Sequence, residues 1–157
     1  MSSTNRVIGI GSPHGDDQAG WRLVETLRRQ VELKVAVLAV GDPTDLLDCL
    51  DGCRSLVIVD ACRTGAPAGT ITRLQWPDPR IRHQHGHSTH RFGVPAVLDL
   101  AQQLHRLPER VVVLGVEVAA CHALSEMSQV VVAALEELQR RVLTEIGRRH
   151  DRVCEGG

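Results

Sequence analysis

The feature that most constrains this chain is the alternation of short, unbroken apolar runs with amphipathic stretches. Residues 6–11 (RVIGIG), 34–40 (KVAVLAV), 55–61 (SLVIVDA) and 110–118 (RVVVLGVEV) read as strands that are apolar on both faces. Such strands must be covered on both sides, which predicts a mostly parallel sheet between layers of helix. The stretches between them supply the helices. Residues 16–30 carry Trp21, Leu23, Val24 and Leu27 as an apolar stripe, with Asp16 or Asp17 expected as the cap. Asp42-Pro43 opens a short helix that turns Leu46, Leu47 and Leu50 inward. Residues 94–105 and 127–149 read as two further helices. Residues 70–76 (TITRLQW) alternate and read as an edge strand.

With 157 residues, 43% of them hydrophobic, the chain suits one domain with one core, expected over residues 1–150. Residues 151–157 read as a frayed tail. Formal net charge is −1, although 17 of the 18 basic residues are Arg. There is no Tyr and one Phe, and no run of like charge exceeds two residues. Neither a basic face nor a set of stacking aromatics is available for a nucleic acid. No apolar run reaches the length of a membrane span, and no signal-peptide pattern opens the chain. The five cysteines are odd in number and form no CxxC pair. They read as reduced, packed thiols of a cytoplasmic protein.

In a parallel sheet the functional crevice lies beyond the carboxyl ends of the strands, and the titratable residues concentrate there. The first such junction is G-I-G-S-P-H-G-D-D-Q-A-G, residues 9–20. Its glycines lack the GxGxxG spacing of a dinucleotide site, and adjacent carboxylates would repel a phosphate. Helix capping accounts for one of Asp16 and Asp17, and less well for both. Asp60 closes an apolar strand, where a carboxylate is poorly solvated. It reads as a turn residue, a metal ligand or a general acid/base. Four of the eight histidines fall within His83–His90. Imidazoles with carboxylates form a workable set for a divalent ion, against the plainer reading of a solvated loop for His83, His85 and His87. Cys62 lies two residues past Asp60, with no activating base identifiable. No HExxH or GxSxG motif appears.

Four blocks, in order and in register, resemble the [NiFe]-hydrogenase maturation endopeptidases. They are G-I-G-x-x-x-x-D-D-x-x-G, V-D-A-C-R-T-G-A-P-A-G-T, H-S-T-H-R-F-G-V-P-A-V-L-D-L-A, and V-V-V-L-G-V-E-V followed by A-L-S. The resemblance spans about residues 6 to 140. It implies a three-layer α/β/α fold whose five-stranded twisted sheet has one antiparallel strand. It implies an enzyme that removes the C-terminal extension of a hydrogenase large-subunit precursor once nickel is inserted. The nickel, carried by the substrate, is then the recognition element. By position the ligands are Asp17, Asp60 and His90, and another divalent metal could occupy their site in the isolated protein. Two departures stand out. Ser12-Pro13 follows the first GxG where the family usually has Asn. Val40-Gly41-Asp42-Pro43-Thr44 stands where many members carry Asp-Gly-Gly-Thr, whose Asp is suspected in catalysis. Asp42 therefore reads as a catalytic carboxylate or as a cap, with Asp17 a second catalytic candidate. The family expectation is a monomer acting without nucleic acid or membrane.

Two rivals share this fold. One is a non-catalytic metal-binding or chaperone protein that senses the nickel state of a partner. The other is a hydrolase whose carboxylates bind a small molecule.

Overall fold

The computed structural model describes residues 4–30, 34–80 and 93–154. Strands β1 (Thr4–Ile10), β2 (Ala36–Val40), β3 (Cys53–Cys62), β4 (Ile71–Gln75) and β5 (Arg110–Glu117) form one sheet. Their order is β2-β1-β3-β5-β4. All pairings are parallel except β4 with β5, which is antiparallel, so the alternating segment at residues 70–76 is the expected edge strand. Helices α1 (Ala19–Arg28), α2 (Val94–Gln103) and α3 (Gln129–Cys154) cover it. The last helix begins two residues later than its apolar spacing suggests. It continues to Cys154, into the stretch read as a tail.

The period-two alternation of each strand builds two cores. Ile8, Ile10, Leu56, Ile58, Val111 and Val113 face α2, against Val94, Val97, Leu98 and Ala101. Val7, Val57, Val59, Val112 and Leu114 face the other way, against Leu23 and Leu27 of α1 and Leu138 and Val142 of α3. Burying each such side chain contributes roughly 1.5–3 kcal/mol, which is why strands apolar on both faces are found only where helices lie on both sides.

Helix α1 lies almost on the backbone of β1. A Cβ on Gly20 would stand 2.3 Å from the carbonyl oxygen of Ile10, and one on Gly9 would stand 2.3 Å from that of Gly20. Two glycines of the opening motif thus serve a strand–helix contact. The start of this helix differs from the sequence reading. A 3-10 turn, Gly15–Gln18, precedes it, and neither Asp16 nor Asp17 caps α1. The segment after β2 is likewise a 3-10 turn, Pro43–Cys49, with Asp42 capping it, one of its two readings.

Candidate active site

Strand β1 leads to β2 on one side, while β3 leads toward β5 and β4 on the other. The direction of winding therefore reverses between β1 and β3, and a crevice opens there beyond their carboxyl ends. Gly9 pairs with Val59, so Asp60 lies level with Ile10, the last residue of β1. Asp60 falls on the α2 side of the sheet, in step with Leu56 and Ile58. Desolvation pushes its carboxyl well above the usual range, and the nearby charge of Asp17 pushes it further. The one opposing influence is a backbone hydrogen bond from Ala61. Asp17 is itself half-buried on the turn that follows β1. The fold therefore brings together two of the three expected ligands, and their repulsion is what a divalent cation would relieve.

Asp16 has a different job. It is fully buried and accepts from the backbone N–H groups of Ala119 at 2.7 Å, Ala120 at 2.9 Å and Ser128 at 2.6 Å, and from the Ser128 hydroxyl at 2.9 Å. Burial alone would raise its pKa, but these bonds prevail and hold it below the usual value. Asp16 thus fastens the loop after β5 to the turn after β1. The adjacent acids divide into a fastener and a free carboxylate. Capping alone explains only one of two adjacent acids, and that was the signal in the sequence.

Glu117 is a second fastener. Its carboxylate accepts from Thr64 N–H at 2.8 Å, Thr64 Oγ1 at 2.8 Å and Gly65 N–H at 3.1 Å, fixing the segment that follows Asp60. Cys62 lies against it, with Sγ 3.6 Å from Oε2. Desolvation, then Glu117, pushes the thiol up to about 12. A thiol held protonated is a poor nucleophile, so Cys62 drops out as a catalytic candidate.

Asp42 sits past the carboxyl end of β2, on the same edge. Its Oδ1 accepts from the Thr44 N–H at 2.9 Å and the Thr44 hydroxyl at 2.8 Å. Helix α2 packs on the Asp60 side of the sheet, and six residues separate its end from the start of β5. So short a return sets α2 antiparallel to β5 and directs its amino end toward the crevice edge. His90 lies outside the described residues, as do His83, His85 and His87. Among the described residues no three His, Cys, Asp or Glu side chains converge as a metal site.

Residues 21–145 match the family model of the hydrogenase maturation proteases, HycI. The chain is 30% identical over 113 residues to the hydrogenase expression/formation protein HoxM of Cupriavidus necator. That match takes in 69% of this chain and 56% of HoxM, so the chain spans little more than half of that relative. The fold resembles hydrogenase maturating endopeptidase HybD from E. coli, with TM-score 0.80, 22% identity and 93% of each chain covered. It also resembles the endopeptidase HycI from Escherichia coli, with TM-score 0.71, 25% identity and 88% of each chain covered. This chain belongs to the hydrogenase maturation protease family.

Proposed function

We propose that the protein is an endopeptidase that removes the C-terminal extension of a [NiFe]-hydrogenase large-subunit precursor after nickel has been inserted. Nickel belongs to the substrate in this reading. Asp17, Asp60 and His90 meet it, and the open coordination positions are filled by the precursor. The observation that carries the reading is the Asp17–Asp60 pair at the switch between β1 and β3, one carboxyl desolvated and the two in mutual repulsion. A precursor without the ion offers the pair nothing to neutralise it, so the unfilled precursor is spared.

Asp17 and Asp42 are the candidates for activating the attacking water as general base. Asp42 is held in its cap by Thr44, which favours one rival, a protein that senses nickel without cutting. Cys49, Cys62 and Cys121 are free thiols, which fits the reducing cytoplasm proposed as its location, and the protein is proposed to act as a monomer.

One assay separates cutting from sensing. Nickel-loaded and nickel-free precursor are each incubated with the protein, and the mass of the precursor C-terminus is read. Loss of the extension from the loaded form alone is the expected result. Complex formation with no change of mass would replace the protease reading with the sensor.

A further inference from the structure

The loop between β5 and α3, residues 118–128, is fixed far more firmly than a connection requires. Asp16 binds it at Ala119, Ala120 and Ser128. The Ser125 carbonyl accepts from Gly15 N–H at 3.0 Å and from Gln18 Nε2 at 2.9 Å. His14 Nδ1 accepts the Leu124 N–H at 3.0 Å. The amide and hydroxyl of Ser125 both return to the His122 carbonyl, at 3.1 Å and 2.9 Å.

This scaffold holds an unfavourable residue at its tip. Leu124 has φ 54°, the left-handed region that a branched side chain avoids. It is 77% exposed, more than any other large hydrophobic residue among those described. Leu100, Leu104, Val130 and Val132, at 42–51%, sit on or at the end of helices whose other faces are buried. No packing in the described fold rewards the position of Leu124. The residues that grip the loop, His14, Gly15, Asp16 and Gln18, bracket Asp17, so Leu124 stands on the rim of the carboxylate crevice. Pro13 and Ala123, also exposed, flank the His14–Leu124 contact in the chain.

We propose that Leu124 is a docking anchor that enters an apolar depression on the folded body of the precursor, beside its nickel-bearing tail. The proposal rests on the function above and deepens it. Two carboxylates can recognise a cation but little of the protein that carries it. A leucine on a rigid mount supplies the protein contact, and a preorganised anchor loses little entropy on binding. A flexible tail needs no such knob, whereas a folded partner does. Leu124 therefore governs affinity for the precursor and leaves bond cleavage to the crevice.

The test compares the full-length protein with Leu124→Asn, Leu124→Gly and Leu124→Met, cutting nickel-loaded precursor. Asn and Gly tolerate the left-handed backbone, so the unfolding midpoint of both should hold or rise. Their KM should rise at least about tenfold while kcat stays within about twofold. Leu124→Met, which keeps an apolar side chain, should retain a KM within about threefold of the parent. An unchanged KM in folded Leu124→Asn or Leu124→Gly would overturn the anchor, and so would a loss confined to kcat. Should the parent protein leave the precursor uncut, the protease reading fails instead. Direct titration of the precursor with parent and Leu124→Asn then still decides the docking claim: equal affinity overturns it, weaker binding by the variant supports it.

Discussion

Two regions of this molecule treat their carboxylates in opposite ways. On and behind β5, each one is matched. Asp16 takes four hydrogen bonds from the 119–128 loop, Glu117 takes those of Thr64 and Gly65, and Glu145 of α3 meets both Arg73 and Arg110. At the switch between β1 and β3, Asp60 is desolvated beside a like charge. A buried charge left without compensation costs several kcal/mol. The matched carboxylates hold the structure together, and the unmatched pair is the one proposed to meet a cation. The contrast is instructive because sequence position does not separate the two kinds. Asp16 and Asp17 are neighbours, yet they belong to different regions.

The contrast can be broken from either side. Glu145→Ala strands two guanidinium groups against α3 and should cost about 3–5 kcal/mol in chemical denaturation. Asp16→Ala leaves three backbone donors without their acceptor and should cost about 3 kcal/mol. Faster amide exchange at Ala119, Ala120 and Ser128 would locate that loss in the loop. Gly20→Ala forces α1 away from β1 and should cost about 1–3 kcal/mol, with part of the activity lost because Asp17 rides on the turn before α1.

The pH dependence should divide in the same way. Burial opposes ionisation of Asp16 and Glu145, but their hydrogen bonds, and for Glu145 its arginines, hold both below their usual values. The stability they contribute is present above the ordinary carboxylate range and is lost as pH falls through their folded values. Asp60 is raised, so the sign reverses. Its contribution is present at low pH and is lost as pH rises from the ordinary carboxylate value through the folded one. Unfolding free energy measured against pH should fall on the acid side in the parent. Asp16→Asn should flatten that fall, and Asp60→Asn should remove the opposing loss at higher pH. The smallest effect is expected for Asp42→Ala, about 1 kcal/mol for the lost cap. Full cleavage by that variant would leave Asp42 a cap alone.

Most of the fold was legible because burial on both faces leaves a strong mark. The runs at 6–11, 55–61 and 110–118 could belong only to covered strands, and TITRLQW alternates as an edge strand should. The three-layer arrangement and the antiparallel strand followed from the family resemblance. Local geometry was harder to read. A 3-10 turn replaced the capped start of α1 because Asp16 finds partners more than a hundred residues away, which no local pattern reveals. Glu117 was visible at a strand end, but its grip on Thr64 and Gly65 depends on the β3–β5 register. The grouping of Asp17 with Asp60 was legible only through the resemblance, because the strand order that sets β1 beside β3 leaves no local mark in the sequence. His90 lies outside the described residues, and its role as a third ligand is what the resemblance implies.

The Asp17–Asp60 pair is proposed to serve recognition at the expense of stability. Asp60→Asn tests it most directly, with unfolding and precursor cleavage measured on one preparation near neutral pH. The account predicts a fold as stable as the parent or more so, with cleavage of nickel-loaded precursor down by at least about a hundredfold. A stable Asp60→Asn protein that still removes the extension at the parental rate would contradict it.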